Sequence, residues 1–267
     1  MKVSLIQMNS QADKAANMQS AENLINAAVA ADGPDLVSVP EMFTHLDGDK
    51  EGKMAAAEPI PGGEAYLMLQ GLAKRHGIVV HGGSHLEIAD GRCYNTTVAF
   101  DRQGNQVAFY RKIHLYDVVL PDGQEFLESS SVGSGRDVVT YEADGITVGC
   151  TICYDLRFPE LYQALAKKGA KIIMVPAAFQ LLTGKDHWEV LLRARAIETE
   201  TYVLAAGQWG PNSGGTHATY GHSIVIDPWG HVLAKAQDGV GFTTTHLNFD
   251  YLESVRAKIP VAQHKVL

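Results

Sequence analysis

Cys153 stands at a junction, where the apolar run ITVGCTIC gives way to Tyr154, Asp155, Leu156 and Arg157. Pro159 follows, well placed for the first turn of a helix. A nucleophile at such a strand-to-helix turn is exposed at the end of a sheet, with backbone N–H groups close by to hold an oxyanion. The alternative is a buried structural cysteine, the commoner fate of a free thiol. To react, a thiol also needs a base or a cation beside it, because little of it is ionised at neutral pH.

Eleven histidines are present, yet none stands at a local spacing that suggests a partner, and His76, His231 and His246 fall in surface-like contexts. Glu41, in VPEMF, follows Pro40 at the end of a short apolar stretch. A carboxylate between Val39 and Met42 is partly desolvated, which makes it a better base near neutrality. Lys112 closes the run VAFYRK and precedes IHL, so it either snorkels at a sheet edge or points into a site. Taken one at a time, these residues have ordinary structural readings: a loop glutamate, an edge lysine and a core cysteine.

The other two cysteines are Cys93 and Cys150. An odd, widely spaced set does not read as a disulfide framework. Cys150 and Cys153 form a C-x-x-C, but a zinc site wants a second ligand pair at similar spacing, so neither a metal nor another cofactor is expected. The alternation of Val148, Cys150 and Ile152 makes Cys150 a buried strand residue.

These residues need a scaffold, and the pattern supplies one. Val3 to Met8 reads as a strand and Lys14 to Ala31 as an amphipathic helix with Met18, Ala21, Leu24, Ile25 and Ala28 on one face. Leu36 to Val39 is a short strand stopped by Pro40. Ala65 to His76 is a helix closed by Gly77, followed by a strand from Ile78 to His81. Tyr94 to Phe100 and Gln106 to Tyr110 bracket a hairpin turn at Asp101 to Gly104. The second half repeats this grammar, with strands at Ile146 to Ile152, Lys171 to Val175 and Tyr202 to Gln208 and helices at Pro159 to Lys168 and Lys185 to Thr199. Strands at His222 to Ile226 and His231 to Ala236 flank a turn at Asp227 to Gly230. Such an α/β alternation with hairpins fits either a mixed sheet or two packed sheets with helices outside.

Of 267 residues, 46% are apolar, ample for one core, and a single domain over residues 1–267 is expected. The formal charge of −8 and the lack of a basic block speak against nucleic-acid partners. The amino-terminal MKVSLIQMNS is too short for a signal sequence, and the longest apolar runs, such as Ile172 to Phe179, fall short of a membrane span. A soluble, cytoplasmic protein with reduced thiols is expected.

In sequence order, VPEMF, YRKIHLYD and TICYDLRFPEL resemble the nitrilase superfamily of carbon–nitrogen hydrolases. The likeness extends from Gln7, Asp13 and Asn17 through Gly82 to Ser84 and the YNT of Tyr94 to Thr96 to IPVAQHK near residue 265. It implies a four-layer α-β-β-α sandwich, with Glu41 as general base, Cys153 as nucleophile, and Lys112 with the Tyr154 N–H holding the oxyanion. A second glutamate beside the lysine is also implied, and the pattern favours Glu128 over Glu125, which reads as a solvated loop charge.

The stretches Leu182 to Thr199 and Tyr220 to Gly230 resemble the branch of omega-amidases and deaminated glutathione amidases, which cut an amide of a 2-oxo dicarboxylic acid. That likeness implies that Arg157 and Thr183 hold the oxo-acid end; an ion pair of Arg157 with Asp155 or Glu160 is the alternative. His187, Trp188 and Arg193 to Arg195 read as packing and interface residues. Other readings are a nitrilase, a carbamoyl-amide hydrolase or a non-catalytic binding partner. The sequence stops at Leu267, soon after its HK motif, where many relatives carry a longer tail used in subunit contacts. The expected partners are a small amide carrying a carboxylate and, as a homodimer, a second copy.

Overall fold

The computed structural model describes residues 1–46, 50–120, 123, 125–215 and 217–266; Leu267 lies outside them. The first elements are β1 (Lys2–Gln7), α1 (Lys14–Asp32), β2 (Leu36–Ser38), α2 (Lys50–Ala56) and α3 (Glu64–His76). Next come β3 (Val79–His81), β4 (His85–Ala89), β5 (Arg92–Phe100) and β6 (Gln106–Arg111). A short pair, β7 (Asp117–Val119) and β8 (Glu125–Leu127), precedes β9 (Val132–Gly133), β10 (Thr140–Ala143) and β11 (Ile146–Cys150). Then follow α4 (Pro159–Lys167), β12 (Ile172–Met174), α5 (Leu181–Thr199), β13 (Tyr202–Ala205), β14 (Trp209–Asn212) and β15 (His217–Tyr220). The chain closes with β16 (Ile224–Ile226), β17 (Val232–Lys235), β18 (Gly241–His246), α6 (Phe249–Lys258) and α7 (Val261–His264).

Two mixed sheets carry the fold. One runs β18-β1-β2-β3-β5-β4, with β6 and β9 also pairing to β5; the other runs β10-β11-β12-β13-β16-β17. Side-chain alternation along the first sheet divides its apolar residues between two cores. Val3, Leu5, Leu36, Val79 and Ala99 join a core that contains the second sheet. Their neighbours Ile6, Val37, Val80, Val98 and Phe100 join Ala21, Ile25 and Ala28 of α1 and Leu69, Leu72 and Ala73 of α3. On the far side of the second sheet, Gly149 lies under Leu165 of α4, so close that a Cβ would come 3.0 Å from the leucine side chain. The result is the four-layer α-β-β-α sandwich that the resemblance implied. A polar contact within the core links the sheets, between His81 Nδ1 and the Tyr141 hydroxyl at 3.2 Å. Burial lowers the His81 pKa to about 3, so the ring is neutral there. Among the described residues, no helix is long and apolar enough to cross a membrane.

Most elements lie within a residue or two of the sequence reading, and the differences have local causes. β11 stops at Cys150, two residues early, because the Ile152 N–H turns to the Asp155 carboxylate at 2.9 Å. α5 starts at Leu181, four residues before the expected Lys185. Gly184, which looks like a breaker, is instead where Tyr220 packs against the helix, and a Cβ there would come 2.4 Å from the tyrosine.

The turn after β2 is clamped from several directions. Ser84 N donates to Pro40 O at 3.2 Å and Phe43 N to Ser84 O at 3.1 Å. Ser84 Oγ accepts from Met42 N at 3.1 Å, Asn17 Nδ2 donates to Thr44 O at 2.9 Å, and Gln208 Nε2 donates to the Glu41 carbonyl at 3.0 Å. Gly83 makes the close approach possible: its φ is +53°, and a Cβ would lie 2.1 Å from the Pro40 carbonyl. Gly83→Ala should therefore lower stability by about 3 kcal/mol and displace Glu41. Gly145→Ala, at φ +77° but with open space around it, should lose only about 1 kcal/mol. Urea unfolding of the two variants measures the difference, and equal losses would show that the approach to Pro40 is not what Gly83 serves.

Candidate active site

The end of β2, the end of β6 and the turn after β11 converge on one point. Lys112 Nζ lies 3.0 Å from Glu41 Oε1 and 2.9 Å from Glu128 Oε2. Asn95, on β5, donates from Nδ2 to Glu41 Oε1 at 2.9 Å and to Glu128 Oε1 at 3.4 Å. Backbone donors complete the carboxylates: Ala178 N reaches Glu41 Oε2 at 2.7 Å and Tyr116 N reaches Glu128 Oε2 at 2.7 Å. Burial works to lower the Lys112 pKa, but the charges of Glu128 and Glu41 prevail and hold it well above the ordinary lysine value. The ammonium is thus firmly protonated.

Cys153 completes the group. Its backbone sits at φ +46°, a left-handed conformation that a non-glycine residue adopts at a cost of roughly 1–3 kcal/mol. Met42, next to Glu41, has φ +54°, so both sides of the site carry strain. The turn at Cys153 is held by Asp155, a fully buried carboxylate. Asp155 accepts from the Tyr110 hydroxyl at 2.6 Å, His114 N at 3.0 Å and Ile152 N at 2.9 Å, and lies 2.7 Å from His114 Nδ1. Cys153 N donates to Pro176 O at 2.9 Å. The next N–H, that of Tyr154, belongs to the first turn of a short 3-10 helix over Cys153–Arg157, where no intrahelical acceptor exists.

Burial, followed by the Glu41 charge, pushes the Cys153 thiol well above its ordinary pKa, against the smaller pull of Lys112. At rest the sulfur therefore keeps its proton, with Glu41 as hydrogen-bond acceptor. Cys150 lies fully buried in β11, where burial alone raises its thiol, as the alternation suggested.

A cavity of 490 Å³ opens beside Cys153, lined by Glu41, Lys112, Glu128, Asn95, Tyr116 and Phe126 among others. A narrow crevice of 20 Å³ adjoins it at Cys153, lined also by Tyr154, Arg157, Phe179 and Thr183. Glu41, Lys112, Cys153 and Glu128 thus come together, and Tyr154, Arg157 and Thr183 adjoin them. Glu125 lines the outer cavity exposed to solvent, so Glu128 is the glutamate on Lys112. Arg157 makes no ion pair with Asp155, whose oxygens are committed to Tyr110, His114 and Ile152. Its guanidinium lies over the Phe179 ring, 5.3 Å from the centroid, and 3.3 Å from His187 Nδ1. His187 is therefore an exposed neighbour of Arg157, whereas Trp188 and Arg195 are packed inside as expected.

Asn95 was visible in sequence as part of YNT, but without a role. His45, Lys53, Gln180, Asn212 and His217 also line the cavity and carry no local motif; only the folded chain brings them there.

A carbon–nitrogen hydrolase family model matches residues 2–257. The deaminated glutathione amidase of Synechocystis sp. is 41% identical over 98% of this chain and 96% of its own length. The human omega-amidase is 37% identical over 99% of this chain and 94% of its own. Nit3 of Saccharomyces cerevisiae, a member of branch 10 of the nitrilase superfamily, superposes with a TM-score of 0.88 at 31% identity, covering 98% of this chain and 94% of that one. With the sandwich fold and a family match along nearly its full length, the chain belongs to the carbon–nitrogen hydrolases of the nitrilase superfamily.

Proposed function

We propose that the protein is an amidase that cleaves a small linear amide of a 2-oxo dicarboxylic acid, deaminated glutathione or 2-oxoglutaramate, through a Cys153 thioester. The observation that carries this reading is a cysteine at the cavity wall beside Glu41 and a lysine held between Glu41 and Glu128. Glu41 takes the thiol proton as sulfur attacks the amide carbon. Lys112 and the Tyr154 N–H meet the negative charge that develops on oxygen, and a donor in that role is worth about 3 kcal/mol. The C–N bond breaks as Glu41 passes its proton to the nitrogen, and the amine leaves. Glu41 then takes a proton from water, which attacks the thioester, and the proton returns to sulfur as the acid departs. Glu128 keeps Lys112 in place. The names of the relatives support this substrate class, and a nitrilase reaction at the same site remains the second reading.

Arg157 and Thr183 serve the oxo-acid end in this scheme, since a guanidinium fork pairs in bidentate fashion with a carboxylate. We assign the whole chain to one domain and a cytoplasmic setting, which suits three free thiols. A homodimer is proposed as well. Val190 and Ile197 on α5 and Trp229 in the neighbouring turn are exposed apolar residues, and that turn is tied to the helix by Arg193 Nε donating to Gly230 O at 2.7 Å.

Cys153→Ala should abolish turnover, whereas Cys93→Ala and Cys150→Ser should retain most of it. The raised Cys153 pKa allows a sharper test. Because burial and the Glu41 charge oppose ionisation of the thiol, iodoacetamide should label Cys153 slowly at pH 7, with a rate that is still rising above the ordinary thiol value of 9.0. Glu41→Gln removes that opposition, so labelling at pH 7 should speed up while amide turnover falls by about 100-fold or more. A mutant slowed in both would mean that Glu41 already ionises the resting thiol.

Specificity gives the other test. Amides that carry a carboxylate should outcompete propionamide in kcat/KM, and Arg157→Lys should raise KM for 2-oxoglutaramate by about tenfold. Thr183→Val should act in the same direction but more weakly. Better turnover of neutral amides or nitriles would remove the substrate assignment and leave the thioester chemistry standing.

A further inference from the structure

Asn95 is fully buried on β5, yet its Oδ1 has no hydrogen-bond partner among the described residues. A buried carbonyl left unsatisfied works against folding, and an apolar side chain of similar size would avoid it. Turning the amide over gives no relief, because it would set Oδ1 against two carboxylates. The orientation is therefore fixed by what the other end of the amide does.

That end, Nδ2, donates to Glu41 Oε1 at 2.9 Å and lies 3.4 Å from Glu128 Oε1. The backbone carbonyl of the same residue accepts from Lys112 N at 2.9 Å. Asn95 thus touches each of the three ionised residues, and an amide does so without adding charge. Its effect on Glu41 is uneven. Oε1 accepts from both Lys112 Nζ and Asn95 Nδ2. Oε2 accepts from the Ala178 N–H at 2.7 Å, and that same N–H interacts with the Cys153 thiol. Oε2 is therefore the oxygen on the side of the sulfur, and the one whose remaining lone pair is not already taken by a second donor.

We infer that Asn95 is a positioning residue, which occupies Glu41 Oε1 and so reserves Oε2 as the oxygen that takes the thiol proton. The inference rests on the thioester reading above and deepens it. The proton moves from Sγ to Oε2 as sulfur bonds to the amide carbon and a carbonyl electron pair shifts onto oxygen. It moves on from Oε2 to nitrogen as the C–N bond breaks. Oε1 holds Lys112 through both transfers. With Nδ2 committed and Oδ1 closed off, Asn95 acts through the glutamates and not on the substrate.

The test is kcat/KM against pH for wild type, Asn95→Leu and Asn95→Asp, over the range in which circular dichroism shows each one folded. The substrate is whichever of 2-oxoglutaramate and deaminated glutathione the wild type hydrolyses. Leucine is similar in size and supplies no donor. A donor favours the ionised form of a carboxylate, and Glu41 must be ionised to act. Asn95→Leu should therefore lower kcat with little change in KM, and should move the acid limb up by about one pH unit, the effect of one hydrogen bond to a charged group. In Asn95→Asp the new carboxyl donates to Oε1 while protonated and adds a third negative charge once ionised. That variant should come nearest to wild type at low pH and fall away as pH rises. A loss by Asn95→Leu that is uniform in pH, as damaged packing alone would give, overturns the inference, and so does an Asn95→Asp profile of wild-type shape. Should Asn95→Leu not fold, the Asn95→Asp profile decides alone. Hydrolysis of neither substrate by the wild type overturns the amidase reading and this inference with it.

Discussion

Lys112 carries a full charge with 2% of its side chain exposed, a placement that costs several kcal/mol when the charge is left unpaired. Glu41 and Glu128 compensate it, and each carboxylate is in turn satisfied by backbone or amide donors. The three ionised groups come from residues 41, 112 and 128, so no local segment can assemble them. They meet only when β2 and β6 belong to the same sheet and the segment after β8 folds back over its edge. Removing either carboxylate would weaken the hold on a buried ammonium, and removing the ammonium would leave two buried carboxylates facing each other. The arrangement is therefore cooperative, and the surrounding clamps make sense in that light. Asn17, Gly83, Ser84 and Gln208 all act on the turn that presents Glu41, because a small displacement there disturbs every charge in the group.

The same electrostatics shape Cys153, the nucleophile of the proposed reaction. A thiolate beside Glu41 would add negative charge to a site that already has two carboxylates for one ammonium. The low-energy resting state keeps the proton on sulfur, and in the proposed reaction the charge appears only while it is being transferred to a substrate oxygen near Lys112. Strain at φ +46° holds Cys153 out of the line of β11 and aims it at the cavity, and the buried Asp155 hub stabilises that turn. Hydrogen bonds from Tyr110 and His114 to Asp155 also tie the turn to the strand that leads to Lys112.

The sequence drew attention to Glu41 and Cys153 locally, since Pro40 stops a strand just before Glu41 and Pro159 starts a helix after Cys153, but each kept an ordinary structural reading until the resemblance joined them to Lys112. It made α1, α3 and the buried strands legible through periodicity. It said less where a residue acts across the fold. Gly82 to Ser84 stood out only by resemblance, and the physical reason, the contact with Pro40, needs both chain segments in place. Asp90-Gly91 and Asp144-Gly145 each place both residues at positive φ, the signature of tight hairpins between β4 and β5 and between β10 and β11. That signal was present in the sequence and passed over. β18 had no comparable cue, since its half-buried threonines pair with β1 from the opposite end of the chain. Lys53 and His45 lie beyond sequence reasoning for the same cause: nothing near residue 50 indicates that α2 will face Cys153.

A net negative reaction centre also limits where an anionic substrate can carry its charge. Two unit charges 4 Å apart repel by about 4 kcal/mol at the effective dielectric of a partly exposed site, so a carboxylate drawn up to Glu41 and Glu128 would bind poorly. The cations not consumed by the reaction centre are placed accordingly. Arg157 borders the narrow crevice beside Cys153, and Lys53, on α2, lines the open cavity. Such a distribution favours substrates that hold their charges at their ends and present a neutral amide between them. A neutral amide gains nothing from either cation, and an amide with its carboxylate adjacent to the scissile carbon would force that charge toward the two glutamates. On the proposed reading, charge spacing along the substrate, rather than charge alone, is what the site selects.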